Sequence, residues 1–224
     1  MTDQHFAPHL PEVPPRLRGV SHAFAFLLTI AAATVDIVLA PPGRATVAFT
    51  VYGAGLMALF GGSALYHRWW GPPRWKPILQ RIDHSTIFVF IAASYTPIAL
   101  LVLHDPLSWI VLGLAWLGAL AGVTFSLGWI QAPRSAIAAS YVTLGWLAVI
   151  AIPQLIEELP IAPLALLAAG GALYTWGAII YARQRPDPWP ATFGYHEVFH
   201  VLVIAAATCH YVAMIGWVLP DAGG

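Results

Sequence analysis

The sequence predicts an all-α membrane protein, a bundle of seven transmembrane helices. Of its 224 residues, 59% are hydrophobic and only 9% are charged, whereas about a quarter of the residues in a soluble domain are charged. Seven apolar runs follow one another, each near the ~20 residues that a helix needs to cross the hydrocarbon core of a bilayer. Prolines, glycines and charged residues separate these runs.

The first predicted element is a polar tail, residues 1–18, which is rich in proline and expected to be poorly ordered. A single transmembrane domain follows over residues 19–220. The first apolar run is as long as the others and lacks a cleavage pattern, so we expect it to be retained as a span rather than removed as a signal peptide. The seven spans are predicted at about 20–40, 45–67, 82–103, 107–130, 134–152, 161–182 and 193–219.

Basic residues predict the orientation of the bundle in the cell (plasma or inner) membrane. Loops on the cytosolic side carry an excess of Lys and Arg. One predicted side holds only Arg44, and the other holds Arg16, Arg18, Arg68, Arg74, Lys76, Arg81, Arg134, Arg183 and Arg185. The N-terminus is therefore predicted to be cytosolic and the C-terminus to lie outside. The formal net charge of zero argues against a nucleic-acid partner.

The last apolar run carries histidines, which are costly in a membrane segment and usually functional there. His196 and His200 are four residues apart, so they lie on one face of a helix. Two imidazoles at this spacing are a common way for a helix to offer two ligands to one metal ion. Glu197 lies about 100° around the helix from His196 and is expected at the solvated interface.

Two other spans bring polar residues to the same depth. Ser63 and His67 lie at the end of the second span, and Asp83 lies near the start of the third. Because successive spans alternate in direction, these residues and the histidines of the last span all fall on the cytosolic side. Three histidines with a carboxylate are typical of a catalytic zinc site, in which three protein ligands leave a position for water. Asp83 is then expected to hold the water and act as general base, or to support a ligand, and Ser63 to hydrogen-bond the water or a substrate oxygen.

Each of these residues also has a simpler interpretation. His67 could be an interfacial residue near a helix C-terminus. Asp83 could be a helix N-cap or a partner of Arg81. Ser63 could be a small residue at a helix contact, and the paired histidines of the last span could be structural.

Further polar residues lie in or near the apolar spans. His210 is about 15 Å deeper than His200 along a helix, so it cannot share that metal and is expected to hydrogen-bond within the bundle or line a cavity. Asp36 is expected to be a separate functional site or the partner of a serine or threonine. His22 and His84 are expected to surround the metal ligands near the cytosolic edge.

Four stretches together resemble the hemolysin III proteins, the bacterial branch of the progestin and adipoQ receptor family. Adiponectin receptors belong to that family, and alkaline ceramidases to a wider superfamily. The resemblance covers nearly the whole chain and implies seven helices with a cytosolic N-terminus. It also implies zinc held by His67, His196 and His200, with Asp83 reaching the ion through water and Ser63 beside it. The stretches are LRGVSH (17–22), SALYH (63–67), RIDHSTIF (81–88) and HEVFHVLV (196–203).

The resemblance leaves the function open between three classes. Eukaryotic members are similar to lipid-amide hydrolases or receptors, and bacterial members carry a hemolysin label and are linked with membrane-lipid homeostasis. The first expectation is a zinc-dependent hydrolase that cleaves an amide or ester bond in a membrane lipid, such as a ceramide-like or fatty-acyl ligand. The alternatives are a non-catalytic receptor or membrane-state sensor with a structural zinc, and a pore-forming hemolysin. The oligomeric state is left open.

Overall fold

The computed structural model describes residues 14–129 and 131–222, and within them the regular secondary structure is helical, with one isolated β-bridge in a loop. Four unbroken helices come first: α1 (Val20–Leu39), α2 (Arg44–His67), α3 (Lys76–Leu101) and α4 (Leu107–Gly128). The fifth crossing is α5 (Arg134–Gly145), a 3-10 turn (Trp146–Ala151) and α6 (Ile152–Glu158). The sixth is α7 (Ile161–Arg183), and the seventh is α8 (Tyr195–Ala213), a π-helical turn (Met214–Val218) and α9 (Leu219–Asp221).

Seven of these helical units are long and apolar enough to cross a membrane. The predicted fold class is therefore confirmed. Large aliphatic side chains on the outside of the bundle agree with it, because Leu28 and Val38 are 72% and 76% exposed and a water-soluble bundle would bury them. The orientation of the bundle stays a prediction.

Residues 1–13 of the predicted tail lie outside the described residues, but the tail's last residues make defined contacts. The backbone N–H groups of Arg16 and Leu17 donate to the carbonyls of Ala191 and Thr192, each at 3.1 Å. The tail prediction did not include this contact. The segment that enters α1 is therefore fixed against the loop that leads into α8.

The helices pack mainly in chain order. Within the described residues, α1 to α4 pack against their successive neighbours, α7 packs along α8, and α8 closes the bundle against α1. Small residues allow close approach: a Cβ added to Gly55 would lie 2.5 Å from the Ala93 Cβ, and one added to Gly53 would lie 2.6 Å from the Ala33 Cβ. Such contacts are a usual basis of helix association in bilayers.

α3 begins at Lys76, before the predicted apolar run, after the short 3-10 helix Pro73–Trp75. The Lys76 ammonium donates a 2.8 Å hydrogen bond to the carbonyl of Tyr66 near the end of α2. This contact joins α2 to α3 at one end of the bundle, where the candidate site lies.

The fifth crossing is interrupted by its 3-10 turn, and Tyr95 of α3 binds the backbone there. The Tyr95 hydroxyl donates to the carbonyl of Gly145 and accepts a 2.7 Å hydrogen bond from the N–H of Ala148. Irregular backbone is tolerated at membrane depth only where its polar groups are satisfied inside the protein. Tyr95 therefore stabilises the interruption, and both backbone partners line the cavity described below.

Candidate metal centre

Three histidines from two helices meet at one end of the bundle. His67 is the last residue of α2, and His196 and His200 occupy the first turns of α8. One ligand atom from each residue lies within 4.8 Å of the others, and the Nε2 atoms of His67 and His196 are 3.1 Å apart. His200 is buried and the other two are partly buried. Together the three imidazoles can hold one metal ion.

Side-chain caps set the start of α8 and therefore the position of its histidines. The Glu197 carboxylate accepts a 2.8 Å hydrogen bond from the Gly194 N–H, and Asp187 accepts one of the same length from the Tyr195 N–H. Carboxylates at a helix N-terminus satisfy free N–H groups and interact favourably with the helix dipole. These two caps fix the first turn of the helix, on which His196 lies.

The prediction that Glu197 faces the solvated interface is wrong. Glu197 is only 1% exposed. Its carboxylate pairs with Arg18, whose Nε donates to Oε1. Arg18 lies just before α1, so this ion pair joins the first and last crossings next to His196. Helix geometry places Glu197 away from the ligand face, but it cannot show that another segment covers the opposite side.

The beginning of α1 packs directly against the histidine cluster. Gly19 has a φ of 76°, and a Cβ added there would lie 2.5 Å from the His67 Cβ. The His22 ring stacks on His200 with centroids 3.7 Å apart and planes 12° from parallel. His22 therefore surrounds a candidate ligand, as expected from its place in the sequence, whereas His84 lines the cavity beside the cluster.

Asp83 and Ser63 lie at the same end of the bundle. The Asp83 Oδ2 is 3.9 Å from the His67 Nε2, which is beyond hydrogen-bond distance. Asp83 lies well inside α3, so it is not an N-cap. Ser63 lies one turn before His67, and both Ser63 and Asp83 are buried and line the cavity that reaches His196 and His200.

An apolar cavity of about 430 Å³ extends from the cluster into the bundle, within the size range of small-molecule sites. Aliphatic and aromatic side chains, such as Ile91 and Val203, form much of its wall. Tyr174 and His210 also line it. The arrangement joins a polar site to a long apolar space, which suits a ligand with a headgroup and a chain.

Two polar residues lie deeper in the bundle. His210 donates from Nε2 to the carbonyl of Leu167 at 3.2 Å and lines the cavity, so both expectations for it are confirmed. Asp36 is fully buried and accepts a 2.9 Å hydrogen bond from the Tyr211 hydroxyl. Asp36 therefore has a hydrogen-bond partner, but it is a tyrosine instead of the serine or threonine that the sequence suggested.

The donor set fits zinc, the ion that the sequence predicted. Zinc prefers nitrogen and sulfur ligands, and three imidazoles with a free fourth position are typical of its catalytic sites. The Nδ1 of His200 is buried and has no hydrogen-bond partner among the described residues, which is unusual for a buried polar atom. The facing Nε2 atoms of His67 and His196 suit a shared cation or a single shared proton.

Comparison with known proteins places this chain in a family. The family model described as Haemolysin-III related matches residues 13–211. Hemolysin-3 of Bacillus cereus is 32% identical over 207 residues, which cover 91% of each chain. The Hemolysin-3 homolog of Bacillus subtilis (strain 168) is 31% identical over 200 residues, 88% of this chain and 91% of the relative. The monocyte to macrophage differentiation factor of Homo sapiens is 27% identical over 177 residues, 73% of this chain and 67% of the relative. The protein is therefore a multi-pass membrane protein of the hemolysin III family, a branch of the progestin and adipoQ receptor family.

Proposed function

We propose that the protein is a zinc-dependent hydrolase that cleaves an amide or ester bond of a membrane lipid and so contributes to membrane-lipid homeostasis. One observation carries the proposal: three histidines with ligand atoms within 4.8 Å of one another lie beside a buried carboxylate at an apolar cavity. Three protein ligands leave a coordination position for chemistry. The cavity provides a place for the chain of the lipid.

In this proposal His67, His196 and His200 hold the ion. A zinc ion held there would supply Lewis-acid polarisation of the scissile carbonyl and would lower the pKa of a bound water towards neutrality. The Asp83 carboxylate accepts the proton of the attacking water and passes it to the leaving amine or alcohol. The Ser63 hydroxyl donates a hydrogen bond to the substrate carbonyl oxygen as negative charge develops on it. The apolar walls orient the chain and exclude bulk water.

Release of fatty acid from lipid libraries tests the hydrolase. Purified zinc-loaded protein is incubated with ceramides and glycerophospholipids, and the products are measured by mass spectrometry. Asp83→Asn is expected to retain zinc but to lose turnover by at least about 100-fold, the range of general acid–base catalysis. His104→Ala is the matched control, because His104 is an exposed histidine outside the cluster that pairs with Glu158, and it should retain both zinc and turnover. Absence of turnover at full zinc occupancy, or unaltered turnover in Asp83→Asn, would contradict the proposal.

A second candidate function is a receptor or membrane-state sensor with a structural zinc. The observation that favours it is that the centre joins α1, α2 and α8, since Gly19 and His22 pack against His67 and His200. A metal at such a junction contributes to folding directly. For the sensor, a chelator should lower the melting temperature strongly while no lipid is hydrolysed at any zinc content. The names of the bacterial relatives suggest a third function, pore formation. Liposome leakage that is independent of zinc and of the histidines would support it.

A further inference from the structure

We propose that the cavity has a second polar subsite, formed by His210 and Tyr174, that binds a hydroxyl group on the chain of the ligand. The ligand would then be a hydroxylated long-chain amphiphile instead of a plain acyl chain. This inference rests on the proposed function only in placing the ligand's headgroup at the histidine cluster. The subsite lies in the bundle interior, since ten residues of helix separate His210 from His200, about 15 Å.

His210 offers a hydrogen-bond acceptor in this part of the cavity. Its Nε2 donates to the Leu167 carbonyl at 3.2 Å. A neutral imidazole that donates from one nitrogen accepts at the other, so Nδ1 is left as an acceptor. Gly170 makes room for the ring, because a Cβ at that position would overlap it.

Tyr174 packs against His210 and carries a hydroxyl donor. Its ring meets the His210 ring edge-on, with centroids 5.4 Å apart and planes at 77°. The Tyr174 hydroxyl is buried and has no hydrogen-bond partner among the residues that the structure describes. An unpaired hydroxyl in the membrane interior costs free energy, and polar groups there usually have a function.

Several other hydroxyls of cavity-lining residues are hydrogen-bonded within the protein. Ser94 donates to the Ile91 carbonyl at 2.7 Å, and Thr175, next to Tyr174, donates to the Gly171 carbonyl at 2.8 Å. Among the described cavity-lining residues, the unpaired buried polar atoms belong to His22, His200 and Tyr174. Buried polar atoms without a partner are therefore found at the histidine cluster and again at Tyr174.

A hydroxyl group matches this pair because it donates and accepts at once. It can donate to the Nδ1 of His210 and accept from the hydroxyl of Tyr174. An ionised group would be excluded, since desolvating a charge without a counter-charge costs far more than desolvating a hydroxyl. The chemistry therefore selects a neutral hydroxyl part-way along an otherwise apolar chain.

Oleic and ricinoleic acids test the subsite, because they share chain length and double bond and differ only by a hydroxyl in the middle of the chain. Binding to zinc-loaded protein in nanodiscs is measured by isothermal titration calorimetry. Ricinoleic acid is expected to bind about three- to tenfold more tightly than oleic acid, the range of one or two net hydrogen bonds. Tyr174→Phe should lower this ratio towards one by weakening the binding of ricinoleic acid, because phenylalanine keeps the ring and removes only the hydroxyl.

Two further variants complete the test. His210→Leu should also abolish the preference, and a cooperative thermal unfolding transition would show that it is folded. Thr175→Val is the matched control, because that hydroxyl is already bonded within its helix, and it should keep the preference. Equal binding of the two acids by the natural sequence, or a preference that survives both Tyr174→Phe and His210→Leu, would overturn the subsite. If both acids bind equally but need His67, the proposed lipid site stands and only the subsite fails; if neither acid binds, both fail.

Discussion

At the scale of single residues, the bundle buries polar groups by pairing them across long stretches of chain. Glu197 pairs with Arg18, and Asp36 with Tyr211. An ionised group without such a partner is costly at membrane depth. These pairs therefore fix which crossings are neighbours, and the Glu197 pair does so beside a candidate ligand.

Arg18→Ala is expected to destabilise the protein by roughly 3 kcal/mol, because it leaves the Glu197 carboxylate buried without its counter-charge. The reduced melting temperature of the detergent-solubilised protein measures the effect. Glu158→Gln is the control: Glu158 pairs with His104 in an exposed position, and exposed pairs contribute about 0–1 kcal/mol. Equal stability of Arg18→Ala and the natural sequence would show that the buried pair contributes nothing.

The candidate ligands and the neighbouring His22 were predictable from the sequence, whereas the long-range partners of the buried carboxylates were not. His196 and His200 can be recognised in the sequence because histidine is rare in an apolar run and their spacing is helical. The roles of Arg18 and Tyr211 cannot, because Arg18 lies 179 residues from its partner and Tyr211 lies 175 residues from its partner. Hydropathy and helical spacing describe one segment at a time, whereas these pairs depend on how segments are arranged in space.

At the scale of helices, the entry into α1 packs closely against the histidine cluster. Gly19 has a positive φ, and it lies where any side chain would meet the His67 Cβ. Glycine adopts this conformation without strain, whereas other residues do so at a cost. The local backbone therefore permits the first helix to approach the last residue of the second.

Gly19→Ala is expected to weaken zinc binding about 10-fold or more, because the added methyl group displaces a candidate ligand, and support of a ligand is typically worth 10- to 100-fold in affinity. Competition with a chromogenic chelator measures the affinity. Gly43→Ala separates strain from contact: Gly43 also has a positive φ, of 107°, but a Cβ there would meet nothing within 4 Å. It should lose some stability and keep zinc affinity. If both variants bind zinc as the natural sequence does, the contact with His67 has no effect on the centre.

Tyr95→Phe should destabilise the protein by about 1–3 kcal/mol, because it removes two hydrogen bonds to the 3-10 turn of the fifth crossing. Thermal unfolding measures the loss. Tyr174→Phe is a matched control, since its hydroxyl has no partner in the described part of the chain and its removal should be close to neutral.

The apolar runs predicted a fifth helix but not the interruption of that crossing. Hydropathy does not register where backbone hydrogen bonds are satisfied by a side chain from another helix.

At the scale of the whole molecule, the histidine cluster lies at one end of the bundle, and the cavity extends from it into the interior. The basic residues predict that this end faces the cytosol. Under that orientation a lipid headgroup would be processed at the inner leaflet. The predicted orientation depends on the distribution of charge and not on the helix packing.

Cysteine labelling tests the orientation, since Cys209 is the only cysteine of the chain and can be removed as Cys209→Ala. In that background Arg44→Cys is expected to react with a membrane-impermeant maleimide on intact cells. Arg183→Cys, at the other end of the bundle, should react only after the cells are opened; both positions are exposed. The reverse pattern would place the metal centre on the outer side.

The joining of α1, α2 and α8 at the cluster has a consequence for biogenesis. The ligands come from the second and the last crossings, and the first crossing covers them, so no nascent fragment that lacks the final helix contains a complete site. If the cluster binds zinc as proposed, its acquisition must follow insertion of the seventh segment by the translocation machinery. Metal content then reports completed assembly of the polytopic chain, and premature termination yields a product that cannot be loaded.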